Sequence, residues 1–195
     1  MKTRPVDAIR WWQENLGQVA PVGHCLRRPL GDRWIRFHSL PGSKRYGETA
    51  AENAELVRRH IAVADELFAA GEEIFIFCSR LGQSETLADA GQHLPGEQLS
   101  TPLVCLPANP DAVSPEHDDF YSVQAAVCSW RPSSFDALVQ AVADEKLWGV
   151  CCVSAASGNV YCPYDGGMDV FPRPSQYHDV QKKFALWRSG REDGL

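Results

Sequence analysis

Two stretches of this chain gather polar side chains that packing alone does not require. The first is RFHSLPGSKRY, Arg36 to Tyr46. Alternation puts Arg36 and His38 on one face of a strand. A Pro-Gly turn then leads to Lys44, Arg45 and Tyr46, just ahead of a helix. Cations and hydroxyls at that place hold a phosphate or a carboxylate, because the free helix amides and the helix dipole add to them. The second is YCPYDGGMDV, Tyr161 to Val170, in which Tyr164, Asp165 and Asp169 surround a tight bend. Two carboxylates four positions apart suit acid–base or metal chemistry. Each feature also has a plainer reading. Lys44 and Arg45 are then solvated loop residues, His38 a hydrogen-bonded sheet residue, Asp165 a hairpin former before Gly-Gly, and Asp169 the partner of an arginine such as Arg36.

The familiar chemical signatures are missing. The sequence holds no GxxxxGK[ST], no GxGxxG, no GxSxG and no HExxH. Seven cysteines, an odd number, include no Cys-x-x-Cys pair. Most of them sit in apolar runs such as IFIFCS and GVCCVS, where a free thiol packs as a small hydrophobe. No metal site and no cofactor are expected. Of the six histidines, none pairs with another at i, i+4. His60 borders the apolar stripe of a long helix and reads as a satisfied core-edge residue.

Charge bounds the partners. The 195 residues carry a net charge of −6, which excludes a non-specific nucleic-acid binder. The window from His24 to Arg45 reverses the sign, with six basic residues (Arg27, Arg28, Arg33, Arg36, Lys44 and Arg45) against Asp32 alone. It makes either a positive patch or a set of pairs with acids from elsewhere. The loop Asp111 to Asp119 is acidic and offers Asp111, Glu116, Asp118 and Asp119 to a basic partner. Trp11 and Trp34 fall off the apolar faces of their elements and are candidates for contact aromatics. No apolar run is long enough to span a membrane, and nothing near Met1 resembles a secretion signal, so a cytoplasmic protein is expected.

The elements that position these residues follow from periodicity. Ile9, Trp12 and Leu16 predict a helix over 5–17, and residues 18–31 read as loop. RWIRFHSL predicts a strand over 33–40, with Ile35 and Phe37 facing one way and Trp34, Arg36 and His38 the other. A helix over 48–70 has a stripe of Ala50, Ala54, Val57, Ile61, Ala64 and Phe68, widened by Leu56, Val63 and Leu67. Further strands are predicted at 73–79, 101–106, 120–130, 148–155, 160–164 and 168–171. The glycines of the last turn are expected to supply positive φ. A helix is predicted after Ser133, which with Asp136 resembles a capping box, and a short one near 85–90. A final helix over 175–189 turns Tyr177, Val180, Phe184 and Trp187 inward. The expectation is one α+β domain over 1–195: a mainly antiparallel sheet of five to seven strands with helices packed on it.

The segments Arg36 to Tyr46 and Tyr161 to Asp169 resemble a family of bacterial hypothetical proteins of unknown function. In its pattern a strand ends RxHSLPxSKRY, a late hairpin reads YxPYDGGxD, and the chain closes on Gly-Leu, here Gly194-Leu195. Cys162 stands where that pattern has His. The resemblance implies a bacterial protein and no particular activity. Two functions fit the whole: a non-enzymatic immunity or antitoxin-like partner of a basic toxin, meeting it through the acidic loop; and an enzyme or binding protein for a small anionic ligand. The second would use Arg36, His38, Lys44, Arg45 and Tyr46 with Tyr164, Asp165 and Asp169, and requires the two segments to meet in space.

Overall fold

The structure, a computed structural model, describes residues 3–83, 104–107, 119–132 and 135–190. Its helices are α1 (Pro5–Leu16), α2 (Gly23–Leu26), α3 (Ala50–Leu67), α4 (Asp136–Ala143) and α5 (Tyr177–Lys183). Its strands are β1 (Ile35–His38), β2 (Glu73–Gln83), β3 (Val104–Pro107), β4 (Asp119–Ser129), β5 (Val150–Ser154), β6 (Val160–Tyr164) and β7 (Gly167–Phe171). They form one sheet in the order β1-β7-β6-β5-β2-β4-β3. Every neighbouring pair is antiparallel, as expected of this α+β chain.

Helices cover both faces, and the period of two along each strand sorts the core accordingly. In β2, Ile74, Ile76 and Cys78 face a cluster made by Leu56 and Val63 of α3, Leu138 and Val139 of α4, and Val180 of α5. Phe75 and Phe77 face the opposite cluster, with Ile9 and Trp12 of α1 and Leu26 of α2. Burial on both faces is why EIFIFCS reads as an unbroken apolar run. Trp12 meets Phe77 edge-on at 5.0 Å and donates its indole N–H to the Val19 carbonyl at 2.8 Å. Trp11 packs on Phe75 at 5.9 Å, so it is a packing residue and not a bare contact aromatic.

Three expectations are corrected. First, α3 is rotated from its predicted stripe. Of the predicted stripe Ala64 and Phe68 are buried, with Leu56, His60, Val63 and Leu67, whereas Ala50 and Ala54 are exposed and Val57 and Ile61 half-buried. The residues that widened the stripe lie at the centre of the buried face. Val57 and Ile61 instead floor an open groove of about 780 Å³ between α3 and α4, rimmed by Arg58, Asp65, Asp136 and Gln140. Second, residues 18–31 contain α2, and a 3-10 turn at Gly31–Arg33 runs into the start of the expected strand, which begins only at Ile35. Helices this short lack the periodicity that would reveal them. Third, the last helix breaks at Phe184. A separate 3-10 turn, Ala185–Trp187, follows it, and a single bridge from Arg188 to Phe37 caps the outer edge of β1. Trp187 is stacked on Phe184 and lies beneath the guanidinium groups of Arg58 and Arg59. Ser133 and the short helix expected near 85–90 lie outside the described residues.

One buried polar chain joins three distant segments. Ser39 Oγ lies 2.8 Å from His60 Nε2, and His60 Nδ1 lies 2.7 Å from the Tyr161 hydroxyl. All three residues are at most 1% exposed. One ring nitrogen donates and the other accepts, so the neutral imidazole is satisfied on both sides. This is the core histidine that the sequence predicts. Burial pushes its pKa down from 6.5 to about 3.

A depressed folded pKa makes stability present above the unfolded value and lost as pH falls below it. The unfolded chain takes up the His60 proton near pH 6.5, and the folded chain does so only near 3. Between pH 6.5 and 5 this removes about 2 kcal/mol. His38, also held neutral by burial, acts in the same direction. Urea unfolding at pH 7, 6 and 5 is expected to show the midpoint falling. A His60→Asn variant should be weaker at pH 7 and lose distinctly less over that range; parallel curves would refute the assignment.

Candidate functional site

Register brings the two polar segments together. β1 and β7 pair so that Arg36 lies directly opposite Asp169 and His38 opposite Gly167. Side chains opposite each other in an antiparallel pair share a face. Arg36 Nε donates to Asp169 Oδ1 at 2.9 Å and Nη2 to Oδ2 at 3.2 Å. Trp34, two residues earlier on the same face, donates its indole N–H to Oδ1 at 2.9 Å. Arg27, just after α2, donates from Nη2 to Oδ2 at 2.9 Å. The carboxylate is 3% exposed and the Arg36 and Arg27 side chains 14% and 28%, so the cluster opens on the Arg27 side.

Aromatic rings flank the cations. The Arg27 guanidinium lies 4.7 Å from the Trp34 ring centre, and Arg36 lies 5.5 Å from Trp34 and 5.1 Å from Tyr164. Cations over aromatic faces gain from the ring quadrupole, more so when desolvated. Burial pushes the Asp169 carboxyl above its ordinary value, while Arg36 and Trp34 pull it the other way. All four bonds that it receives come from N–H donors, the pattern of a carboxylate and not of a carboxylic acid.

Two glycines permit this packing. A Cβ on Gly23 would lie 3.1 Å from Asp169 Oδ2 and 3.2 Å from Cys162 Cβ, so a side chain there would press on both, and glycine lets α2 settle on the sheet without that crowding. A Cβ on Gly167 would lie 2.2 Å from the Phe37 carbonyl oxygen and 2.9 Å from the Tyr164 hydroxyl. The expected positive φ in the β6–β7 turn is absent: neither Gly166 nor Gly167 adopts it. Gly167 is needed for close approach instead, and the Gly166 carbonyl receives the Ser39 N–H at 3.1 Å.

The remaining candidates divide. His38 is half-buried, and its Nε2 is enclosed without a hydrogen-bond partner, as is Arg27 Nε. Burial and the charges of Arg36 and Arg59 push the His38 pKa down, so the ring is neutral near pH 7. Burial raises the Tyr164 hydroxyl. Lys44 is taken up by Glu52 at 2.7 Å and Glu48 at 3.1 Å. Glu52 also serves Thr49 in the box that caps α3, and Lys44 is the chief reason that its carboxyl falls to about 2. Arg45 pairs with Asp165, and the Tyr46 hydroxyl donates to Glu145 at 2.9 Å and Asp165 at 3.2 Å. The positive window is therefore largely spent on acids from elsewhere in the chain. Asp111, Glu116 and Asp118 lie outside the described residues, as does the side chain of Asp119.

Arg27 and Trp34 were not expected in this site. Arg27 stands in a stretch without periodicity, and only the tertiary fold carries it to Asp169. Trp34 was read as a contact aromatic, but it is half-buried and fixed by its hydrogen bond to Asp169. Cys162, at the position where the resemblance expects His, is buried beneath Gly23, and burial raises its thiol. Among the described residues no group of three His, Cys, Asp or Glu is placed to hold a metal ion.

An antiparallel α+β sheet with a doubly arginine-bound aspartate at one end is the class of protein seen here. The chain belongs to the family DUF3885, a domain of unknown function, whose profile matches residues 22–192. This meets the expectation of an uncharacterised family. The match takes in every residue of the cluster, and α1 lies before it. No curated protein matches the chain, and no solved structure matches it. Among the described residues no helix is long and apolar enough to cross a membrane.

Removing the Asp169 carboxylate strands two guanidinium groups and an indole N–H. Asp169→Ala is expected to cost about 3–5 kcal/mol in urea unfolding at pH 7. Asp165→Ala, whose partner Arg45 is 61% exposed, should cost less than about 1 kcal/mol. Equal losses would show that Asp169 is not the organising group.

Proposed function

We propose that this chain is a bacterial, cytoplasmic binding protein for a small anionic ligand, seated where Arg27 and Arg36 converge on Asp169. The observation that carries this reading is a charge imbalance in a partly closed place. Two guanidinium groups share one buried carboxylate. One positive charge is left over, and Arg27 Nε is enclosed without a partner. An anion at the exposed side of Arg27 supplies the counter-charge and accepts from the guanidinium N–H groups on that side.

Two further observations support it. The Trp34 and Tyr164 rings hold Arg36 from its neighbouring positions, so the anchor of the site is rigid before any ligand arrives. The six cysteines whose side chains are described are free thiols, which suits a reducing compartment. The alternative of an immunity-type protein partner was placed on the acidic loop, which lies outside the described residues, so no contact described here supports it.

Thermal unfolding at low ionic strength tests this. Millimolar phosphate or acetate is expected to raise the Tm of the wild type above a chloride control, through selective binding to the folded state. The increase should disappear in Arg27→Gln, each protein being compared with its own chloride control. An equal response in the two proteins, or no response to either anion, would overturn the proposal.

A further inference from the structure

The charges around the cluster restrict which anion it can take, and this step rests on the binding reading above. Within the cluster there are two guanidinium groups and one carboxylate. The neighbouring cations are committed: Arg45 to Asp165, and Lys44 to Glu48 and Glu52. His24, on α2, shares a hydrogen bond with the Tyr121 hydroxyl at 3.2 Å. His38 is held neutral by burial and by Arg36. Among the described residues of the cluster a single positive charge is left over for an incoming ligand. A monoanion cancels it. A dianion brings a second negative charge into a half-buried place that already holds the Asp169 carboxylate, where the cluster itself has no second positive charge to match it, and such uncompensated charge is costly there.

The two arginines are also unequal. Arg36 is tied at both ends of its Nε–Nη2 edge, mostly buried, and lies close to two rings. Arg27 makes one of its possible bonds to Asp169, leaves Nε without a partner and exposes more of its side chain. The planar fork of a guanidinium matches the two oxygens of a carboxylate. The half-buried rings of Trp34 and Tyr164 beside the cations supply apolar surface for whatever bears that carboxylate.

We infer that the site selects a monoanionic carboxylate carried on an apolar body, gripped by Arg27 while Arg36 stays on Asp169, over a phosphate dianion. Isothermal titration calorimetry of the full chain at pH 8 and low salt, with benzoate, acetate and inorganic phosphate, tests it. Benzoate is expected to bind at least tenfold more tightly than phosphate and more tightly than acetate. Phosphate binding as tightly as benzoate would overturn this inference and leave the anion-binding reading standing. Binding of none of the three would overturn both.

Two variants check the cause. Asp169→Asn leaves two positive charges, so the benzoate-to-phosphate preference should shift at least tenfold towards phosphate; an unchanged preference would refute the charge argument. Arg27→Lys keeps the charge but loses the fork, and serves also if Asp169→Asn does not fold. It should weaken benzoate at least tenfold and phosphate much less. Equal losses would remove Arg27 from the selecting role.

Discussion

A carboxylate 3% exposed to solvent, placed in a sheet between helices, has to be paired or it will not stay ionised. Asp169 meets that demand with donors from three places: Arg36 on β1, Trp34 just before it, and Arg27 just after α2. The rest of the local architecture answers to this requirement. β1 has to pair with β7 in the one register that puts Arg36 opposite Asp169. A slip of one residue would turn Arg36 towards the α3 side, where Ile35 and Phe37 pack. α2 has to settle close enough for Arg27 to reach, which is possible because Gly23 has no side chain to strike Asp169 and Cys162.

The same register serves the opposite face. Ser39, just beyond β1, and Tyr161, on β6, meet through His60 of α3, in a chain of hydrogen bonds wholly inside the protein. One face of this end of the sheet is thus pinned by charge and the other by neutral hydrogen bonds. The two differ in what they are open to. The His60 chain is sealed and complete, so its work is structural. The Asp169 cluster is nearly closed but retains an excess charge, an enclosed nitrogen without a partner and an exposed flank on Arg27. That difference is what supports reading the cluster as a binding site and the His60 chain as a structural one.

Most of the basic window is not a patch. Lys44 belongs to the start of α3 through Glu48 and Glu52, Arg45 belongs to the β6–β7 turn through Asp165, and Arg33 donates to the Gly158 and Pro172 carbonyls. Such exposed pairs add little stability. The pairs of Lys44 and Arg45 do neutralise charge at the surface, while Arg27 and Arg36 share the one carboxylate of Asp169.

Elements with a clear period were legible in the sequence: the strand pattern of RWIRFHSL, the two-sided burial of EIFIFCS, and the meander from β5 to β7. Their residues alternate where one face is covered and run apolar without a break where both are, and that constraint is written locally. The pairing of Arg36 with Asp169 was within reach too, since both were singled out and an arginine partner for Asp169 was one of the readings. What the chain alone could not disclose was anything set by approach between distant segments. Arg27 reaches Asp169 across 142 positions from a helix of four residues. The buried side of α3 depended on where α4 came to rest, and Gly167 was needed for a neighbour's carbonyl and not for its own φ. Periodicity is a property of the chain. Contact is a property of the packed solid, and the cluster is made of contacts.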